Sequence, residues 1–430
     1  MTDNNSDRHI CGTSVTIDDI CSDIKNSLGE KDAELTDWSA VEIGTGKGFL
    51  SHLVRLQLNW KKNDREQLPR SVIAKIPTTS KLHLLTDGSA AMGDMADMMR
   101  SELHKAHNCE VSVYEWLKRS AIPTPPACYP TIYGLRRWEG AADVADVNAY
   151  IVMQDLTGVA RMVDALNMEF LSLKQSQQVT RALATVHAWS AVTDISDVQL
   201  TNDPVEDDGV YKKFLNDLQK SQREFEQSIG RDCYKAVIDD DLRARVARRM
   251  PMSVEYARRE MVAHRAYGLP DVLCHGDVYT NNMLFRLDDD GRATGDLLAL
   301  IDWQLAFKGN GMIDMALVAG WSMPATDWTD GVRSQLLDVY EDAFASVMCA
   351  EHKSAPFTRA QLHDAFYRGY IFTQRLLIPV FEAILVRGVQ VADDETKHAR
   401  GAPSVAMESI KKMLLELLRM MDEHAALIGD

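Results

Sequence analysis

The chain has 430 residues, and 47 Lys+Arg against 63 Asp+Glu leave a formal net charge of −16. A hydrophobic share of 46% and a charged share of 26% are ordinary for a globular protein, and this length supplies about two or three folding units with sizeable cores. The acidity argues against nucleic acid or an anionic membrane as partner, since both favour basic surfaces.

The first residues, MTDNNSDRHICGTS, hold no apolar core of the signal-peptide kind and predict a loose, polar segment over residues 1–15. Thr16 then reads as an N-cap with Asp19 three residues on, and Ile17, Ile20, Ile24 and Leu28 recur at helical spacing. A charged break, Gly29 to Thr36, leads to Val41-Glu42-Ile43-Gly44-Thr45-Gly46-Lys47-Gly48. Val54, Leu56, Leu58 and Trp60 alternate with Arg55, Gln57 and Asn59, so a half-buried strand follows the glycines. Ser71 to Ile76 is short and β-branched, a second strand closed by Pro77. From Ala90 to Leu117 the pattern turns helical, with Met92, Met95, Met98, Met99 and Leu103 as a core-facing stripe. Tyr150 to Met153 is a strand that ends at Gln154-Asp155. Strand periods dominate before Asp155 and helical periods after it, which sets an expected domain boundary of 1–155 and 156–430.

Beyond the boundary, Leu171 to Trp189 is amphipathic, and helical stretches fill Val210 to Tyr267 and, later, Met407 to Leu427. One strand-rich island interrupts them: Met283–Leu287 and Leu297–Ile301 flank Asp288-Asp289-Asp290-Gly291, a hairpin turn by composition. Read as a calcium loop, that turn would put Arg286 first and Leu297 twelfth, where acids are required. No apolar run has the length of a membrane helix; Leu376–Val386 is too short and carries Glu382. The seven cysteines contain no CxxC pair and make neither a disulfide framework nor a zinc site. A cytoplasmic protein without a membrane partner is expected, and the sequence is silent on oligomeric state.

The chemistry concentrates in His275-Gly276-Asp277-Val278-Tyr279-Thr280-Asn281-Asn282, the hairpin, and Ile301-Asp302-Trp303-Gln304. Asp277 and Asn282 sit five apart, the spacing of a kinase catalytic-loop Asp and its metal-binding Asn. A hairpin returns the chain to its start, so Asn282 and Asp302 are expected side by side. One amide oxygen and one carboxylate suit a hard cation such as Mg2+ on triphosphate oxygens. Asp277 would then lie close by, placed to orient and deprotonate an acceptor hydroxyl. His187 and His275 read as packing or loop-bracing residues, because nothing supplies a third metal ligand at useful spacing.

On these residues the sequence resembles the choline/aminoglycoside kinase-like branch of the protein-kinase fold, and within it most closely the ecdysteroid-kinase-like (CHK kinase-like) proteins. The resemblance covers roughly residues 40–390. It implies an α+β, bilobal fold: a strand-rich N-lobe carrying the N-terminal helix, glycine-rich loop and nucleotide lysine, a helical C-lobe carrying catalytic loop, metal site and acceptor pocket, and ATP between them. Gly44, Gly46 and Gly48 match the phosphate-covering loop, Lys75 the strand lysine of the α/β-phosphates, and Glu110 the helix glutamate that orients it. Met153 and Asp155 match the hinge beside adenine, and Asp314 an acid that braces the catalytic loop. The implied activity is ATP- and Mg2+-dependent phosphorylation of a hydroxyl on a metabolite, steroid-like alcohol or amino alcohol. Gly276 replaces the Arg of HRD and no APE motif follows, so a small-molecule acceptor is expected over a peptide. Trp321, Tyr367 and Phe372 are candidates for its pocket.

Two other readings compete. A kinase-like fold kept as a catalytically inactive ligand-binding module would usually lose the catalytic or metal-binding acid, and here both are present. A remote alternative, an S-adenosylmethionine-dependent methyltransferase, rests on the glycines at 44–48 but needs a helix after them, where the pattern is a strand.

Overall fold

Residues 8–15 are not loose. The computed structural model describes residues 8–43, 51–61, 68–78, 90–120, 129–139, 147–163, 169–200, 208–324, 327, 329–383 and 403–428. At its start the Ile10 amide donates to the Val15 carbonyl at 2.9 Å, closing a turn whose two apolar ends are fully buried. Ile10 and Val15 pack with Ile17, Ile20 and Ile24 of α1 (Ile17–Leu28) in one core cluster. Two apolar residues in a polar run suffice to anchor it, which an average over composition hides. The Thr16–Asp19 capping box is formed reciprocally, as expected.

By contacts the chain divides into two compact units, one of Met1–Ala121, Tyr129–Val159 and Val198–Thr201, the other of the remainder. The first unit is built on an antiparallel five-stranded sheet: β1 (Leu35–Ile43), β2 (Ser51–Trp60), β3 (Ser71–Pro77), β4 (Ile132–Arg136) and β5 (Tyr150–Gln154), in the order β1-β2-β3-β5-β4. The period of two in β2 buries Val54, Leu56 and Leu58, and the register sets Val54 against Ala74 and Leu56 against Val72. Helix α2 (Ala90–Arg119) buries Leu103, Ala106, Val113 and Leu117. The side chains of Met92, Met95, Met98 and Met99 lie outside the described residues, as do Gly44, Gly46 and Gly48 entirely.

The second unit is mostly helical. It opens with β6 (Ala160–Arg161), α3 (Leu173–Val192), α4 (Asp208–Ile229), α5 (Asp232–Lys235), α6 (Asp240–Arg249) and α7 (Val254–Met261). Then come β7 (Val272–Cys274), the hairpin β8 (Met283–Leu287) and β9 (Ala293–Leu300), and β10 (Phe307–Gly309). Helices α8 (Gly311–Ser322), α9 (Asp330–Ala350), α10 (Arg359–Glu382) and α11 (Pro403–Glu423) follow. β9 begins earlier than its apolar run, because the Asp288 amide bonds to the Arg292 carbonyl and Ala293 pairs with Leu287. A strand-rich unit followed by a helical one is the α+β, bilobal division expected. Among the described residues no helix is long and apolar enough to cross a membrane.

Candidate active site

Strand β7 pairs with β10 through Cys274 and Phe307, so the loop from His275 starts beside the segment that follows Asp302. Gly276 lies at φ +80°, and a Cβ there would come within 2.3 Å of the Leu305 carbonyl oxygen. The glycine that replaces the HRD arginine is therefore a demand of the backbone as well as a lost cation. Gly276→Ala is expected to destabilise the second unit by at least about 1–2 kcal/mol, the cost of a left-handed L-residue, read as a lower urea midpoint.

The loop is held by backbone and imidazole. His275, fully buried, faces the Ile301 carbonyl with Nε2 at 3.0 Å and receives the Asp277 amide on Nδ1 at 3.3 Å. Nε2 therefore carries the proton, and burial pushes the imidazole below its usual pKa. The His275 ring also packs against Trp303, tilted by 44° with 4.4 Å between ring centres, and that indole is fully buried.

Asp277, Asn282 and Asp302 come together. Asn282 Nδ2 donates to the Asp277 carbonyl at 2.9 Å and to its carboxylate Oδ2 at 3.0 Å. The hairpin registers Met283 against Leu300, and the Ile301 amide donates to the Asn282 carbonyl at 3.0 Å. Asp302 is thus the next residue at the hairpin's closed foot. It sits in the left-handed region at φ +68°, ψ +59°, uncommon for a residue with a side chain, although Asp adopts it more readily than most. With both Nδ2 hydrogens directed at Asp277, Asn282 offers Oδ1 to a cation, and Asp302 offers a carboxylate: an oxygen-only pair that fits Mg2+.

In the first unit, Lys75 on β3 and Glu110 on α2 form a buried ion pair, Nζ to Oε2 at 2.6 Å, with the residues 9% and 1% exposed. One turn before Glu110, His107 is buried against the Arg136 carbonyl at 2.9 Å, and that burial lowers its pKa to about 4. Its neutral ring docks α2 on β4, which helps set where Glu110 emerges. Met153 is in β5, paired with Ile73 of β3. The Asp155 carboxylate is taken up within the protein: Ser71 Oγ donates at 2.5 Å, the Thr157 amide at 2.9 Å, and Arg55 lies at 3.2 Å. Burial alone would raise its pKa, but these bonds hold it below the usual carboxylate range. What Asp155 can offer a nucleotide is its backbone.

The three pocket aromatics separate. Trp321 stands edge-on to Tyr279 of the loop that follows His275, 6.5 Å between ring centres, and 5.2 Å from Phe381. The Tyr279 hydroxyl is pushed above its usual range, first by burial and then by the charges of Asp277 and Asp302, so its ring lies beside both acids. Tyr367 instead accepts from the buried Arg333 Nε at 2.8 Å, and Phe372 is buried in α10. Trp321 adjoins the loop that follows His275, Tyr367 is committed to a structural bond, and Tyr279 is a neighbour that no motif in the sequence singles out. Its position two residues after Asp277 was the available signal.

A family profile, DUF1679, described as "Uncharacterized oxidoreductase dhs-27", matches residues 5–425. A curated relative of that name from Caenorhabditis elegans is 24% identical over 381 residues, 82% of this chain. The chain spans only 40% of that relative's length. Among solved structures, a choline kinase from Cryptosporidium parvum Iowa II aligns at 12% identity with a TM-score of 0.48, covering 95% of this chain and 98% of the other. A Plasmodium vivax ethanolamine kinase aligns at 12% identity and a TM-score of 0.40, covering 89% and 85%. A choline/ethanolamine kinase family protein from Mesorhizobium loti aligns at 10% identity and 0.41, covering 91% of each.

Proposed function

We propose that this chain, which belongs to the DUF1679 family, is a phosphotransferase that uses ATP and Mg2+ to phosphorylate a hydroxyl group of a small molecule. The observation that carries the reading is the hairpin foot, where the Asn282 amide bonds to the Asp277 carboxylate at 3.0 Å and the Ile301 amide sets Asp302 beside Asn282. In this reading the acceptor oxygen attacks the γ-phosphorus while the bond to the β-phosphate oxygen breaks and ADP leaves. Asp277 orients the hydroxyl and takes its proton. Lys75, held by Glu110, engages the α/β-phosphates, and the residues at 44–48 cover them. Met153 and Asp155 line the adenine through the strand end and backbone. Asn282 Oδ1 and Asp302 would hold the metal, which would offset charge on the triphosphate. A metabolite, steroid-like alcohol or amino alcohol is the acceptor class, and Trp321 beside Tyr279 is the candidate wall of its pocket.

The word oxidoreductase in the relative's name does not transfer readily. Among the described residues every paired strand is antiparallel, whereas a dinucleotide-binding unit requires parallel strands joined by helices. The segment after the glycines at 44–48 is strand β2, which also weighs against the methyltransferase reading. Calorimetry of ADP with and without Mg2+ tests the proposal. The parent should bind ADP more tightly with magnesium, and Asp302→Ala should abolish that gain while Asn282→Ala reduces it less, since a carboxylate brings charge and an amide only a dipole. Equal binding by all three proteins would make the metal assignment wrong. Magnesium-dependent binding without turnover on any hydroxyl would favour the inactive binding module.

A further inference from the structure

Proton abstraction at Asp277 depends on where the loop from His275 is held, and the bonds behind that loop run further than the loop itself. Asp314 of α8 is fully buried and takes three donors. The His275 amide donates to Oδ2 at 2.6 Å and the Gly276 amide to Oδ1 at 2.9 Å. His187 of α3 approaches Oδ2 with Nε2 at 3.1 Å, and its Nδ1 meets the Tyr340 hydroxyl of α9 at 3.0 Å. A carboxylate only accepts, so Nε2 carries the proton and Nδ1 the lone pair. Burial, with the nearby Cys274 and Asp314, pushes the Tyr340 hydroxyl well above its usual range, so it stays a donor. Gly311 opens the space for this ring: a Cβ there would lie 2.7 Å from His187 Nδ1.

We infer that His187 and Tyr340 are positioning residues for Asp277: Tyr340 fixes the tautomer of His187, His187 fixes the rotation of the Asp314 carboxylate, and Asp314 fixes the two amides that precede Asp277. The inference rests on the kinase reading above. Without the imidazole bond, Oδ2 keeps one donor and the carboxylate can turn, carrying the loop with it. The competing use of the same groups is a metal site, because ligand atoms of His187, Cys274 and Asp314 lie within 4.8 Å of one another. That set would suit zinc. Against it, the Asp314 oxygens already take three donors, and burial raises the Cys274 thiol well above its usual range, keeping it protonated.

The variants that separate these roles are His187→Gln, whose amide reaches the Nε2 position, His187→Asn, whose amide stops at the Nδ1 position, and Tyr340→Phe. The probe is magnesium ATP with water as acceptor, read as ADP release, alongside folding by circular dichroism. His187→Asn should lower kcat about 10²-fold with KM for ATP unchanged, the scale of an ~1 Å misplacement. His187→Gln should restore kcat to within a few-fold of the parent. Imidazole nitrogen NMR of the parent should give protonated Nε2 and bare Nδ1 at His187, and Tyr340→Phe should shift that tautomer. Unchanged kcat in folded His187→Asn, a protonated Nδ1, or stoichiometric zinc in the purified protein would each overturn the inference. Should the His187 variants fail to fold, the parent tautomer and the amide-exchange rates of His275 and Gly276 in Tyr340→Phe decide it. A parent that neither binds magnesium nucleotide nor releases ADP sinks the kinase reading and the inference with it; an active parent with indifferent variants sinks the inference alone.

Discussion

Asp277→Asn is expected to bind magnesium nucleotide almost as the parent does while losing about 10²–10⁴-fold in turnover, roughly 3–5 kcal/mol of barrier. The loop geometry should survive the change. The bond from Asn282 Nδ2 at 3.0 Å needs only an acceptor oxygen on residue 277, and an amide supplies one. The second bond, at 2.9 Å, goes to the Asp277 backbone carbonyl and is indifferent to the side chain. The imidazole of His275 and the carboxylate of Asp314 hold the loop through amides that the substitution leaves in place. What disappears is the base. Phosphoryl transfer through a loose transition state asks the protein mainly for position and charge neutralisation, and the proton leaves late. Loss of turnover with intact nucleotide affinity therefore marks a residue that serves the acceptor. The measurement is paired: ADP affinity by calorimetry, and phosphorylated product by mass spectrometry across a panel of hydroxylated metabolites. Unchanged turnover would make Asp277 a structural loop residue. A weakened ADP affinity would instead assign it to the nucleotide or its metal.

The parts of this site that could be read from the chain are those whose geometry is local. Thr16 and Asp19 sit three apart and form their capping box, and the alternation in β2 puts Val54, Leu56 and Leu58 in the core. Asn282 and Asp302 meet because a hairpin must return, whatever lies outside it, and antiparallel register does the rest. The Lys75–Glu110 pair is a longer reach, 35 residues apart, and was accessible only through resemblance to a family pattern. Where tertiary packing decides, the residues alone were mute. β4 is five residues, Ile-Tyr-Gly-Leu-Arg, too short and too broken by its glycine to show a period, and its strand identity comes from pairing with β5. Asp155 matches a hinge position, and Thr157 two residues on is a local partner, yet nothing nearby in sequence reveals that Arg55 and Ser71 also converge on its carboxylate. Tyr340 lies on a long helix with no motif of its own, 153 residues from the histidine it touches. Tyr367 and Trp321 are both aromatic and both in the helical unit, and only packing separates a partner of Arg333 from a neighbour of Tyr279.

The Lys75–Glu110 pair permits stability and function to be pulled apart. Glu110→Leu alone should cost about 3–5 kcal/mol of stability in the first unit, because it leaves the Lys75 ammonium, itself 9% exposed, without the carboxylate 2.6 Å away. The double variant Lys75→Met with Glu110→Leu should recover most of that loss. Desolvating two charges is expensive, and their mutual attraction returns little more than a well-packed apolar pair of similar volume would. The site suits such a pair: Ile151, the register partner of Lys75 on β5, is fully buried, and α2 buries Val113 and Leu117 one and two turns beyond Glu110. Nucleotide binding should behave differently. The proposed partner of the α/β-phosphates is the ammonium, so both variants should bind ADP weakly, the double variant no better than the single one. Urea denaturation and ADP calorimetry on the parent, the single variant and the double variant give the two coordinates. If the double variant stays as unstable as Glu110→Leu, other groups in the first unit depend on the charge of Lys75. If it regains stability and also binds magnesium ADP as the parent does, then the pair is an element of the fold, and the phosphates are held by something other than Lys75.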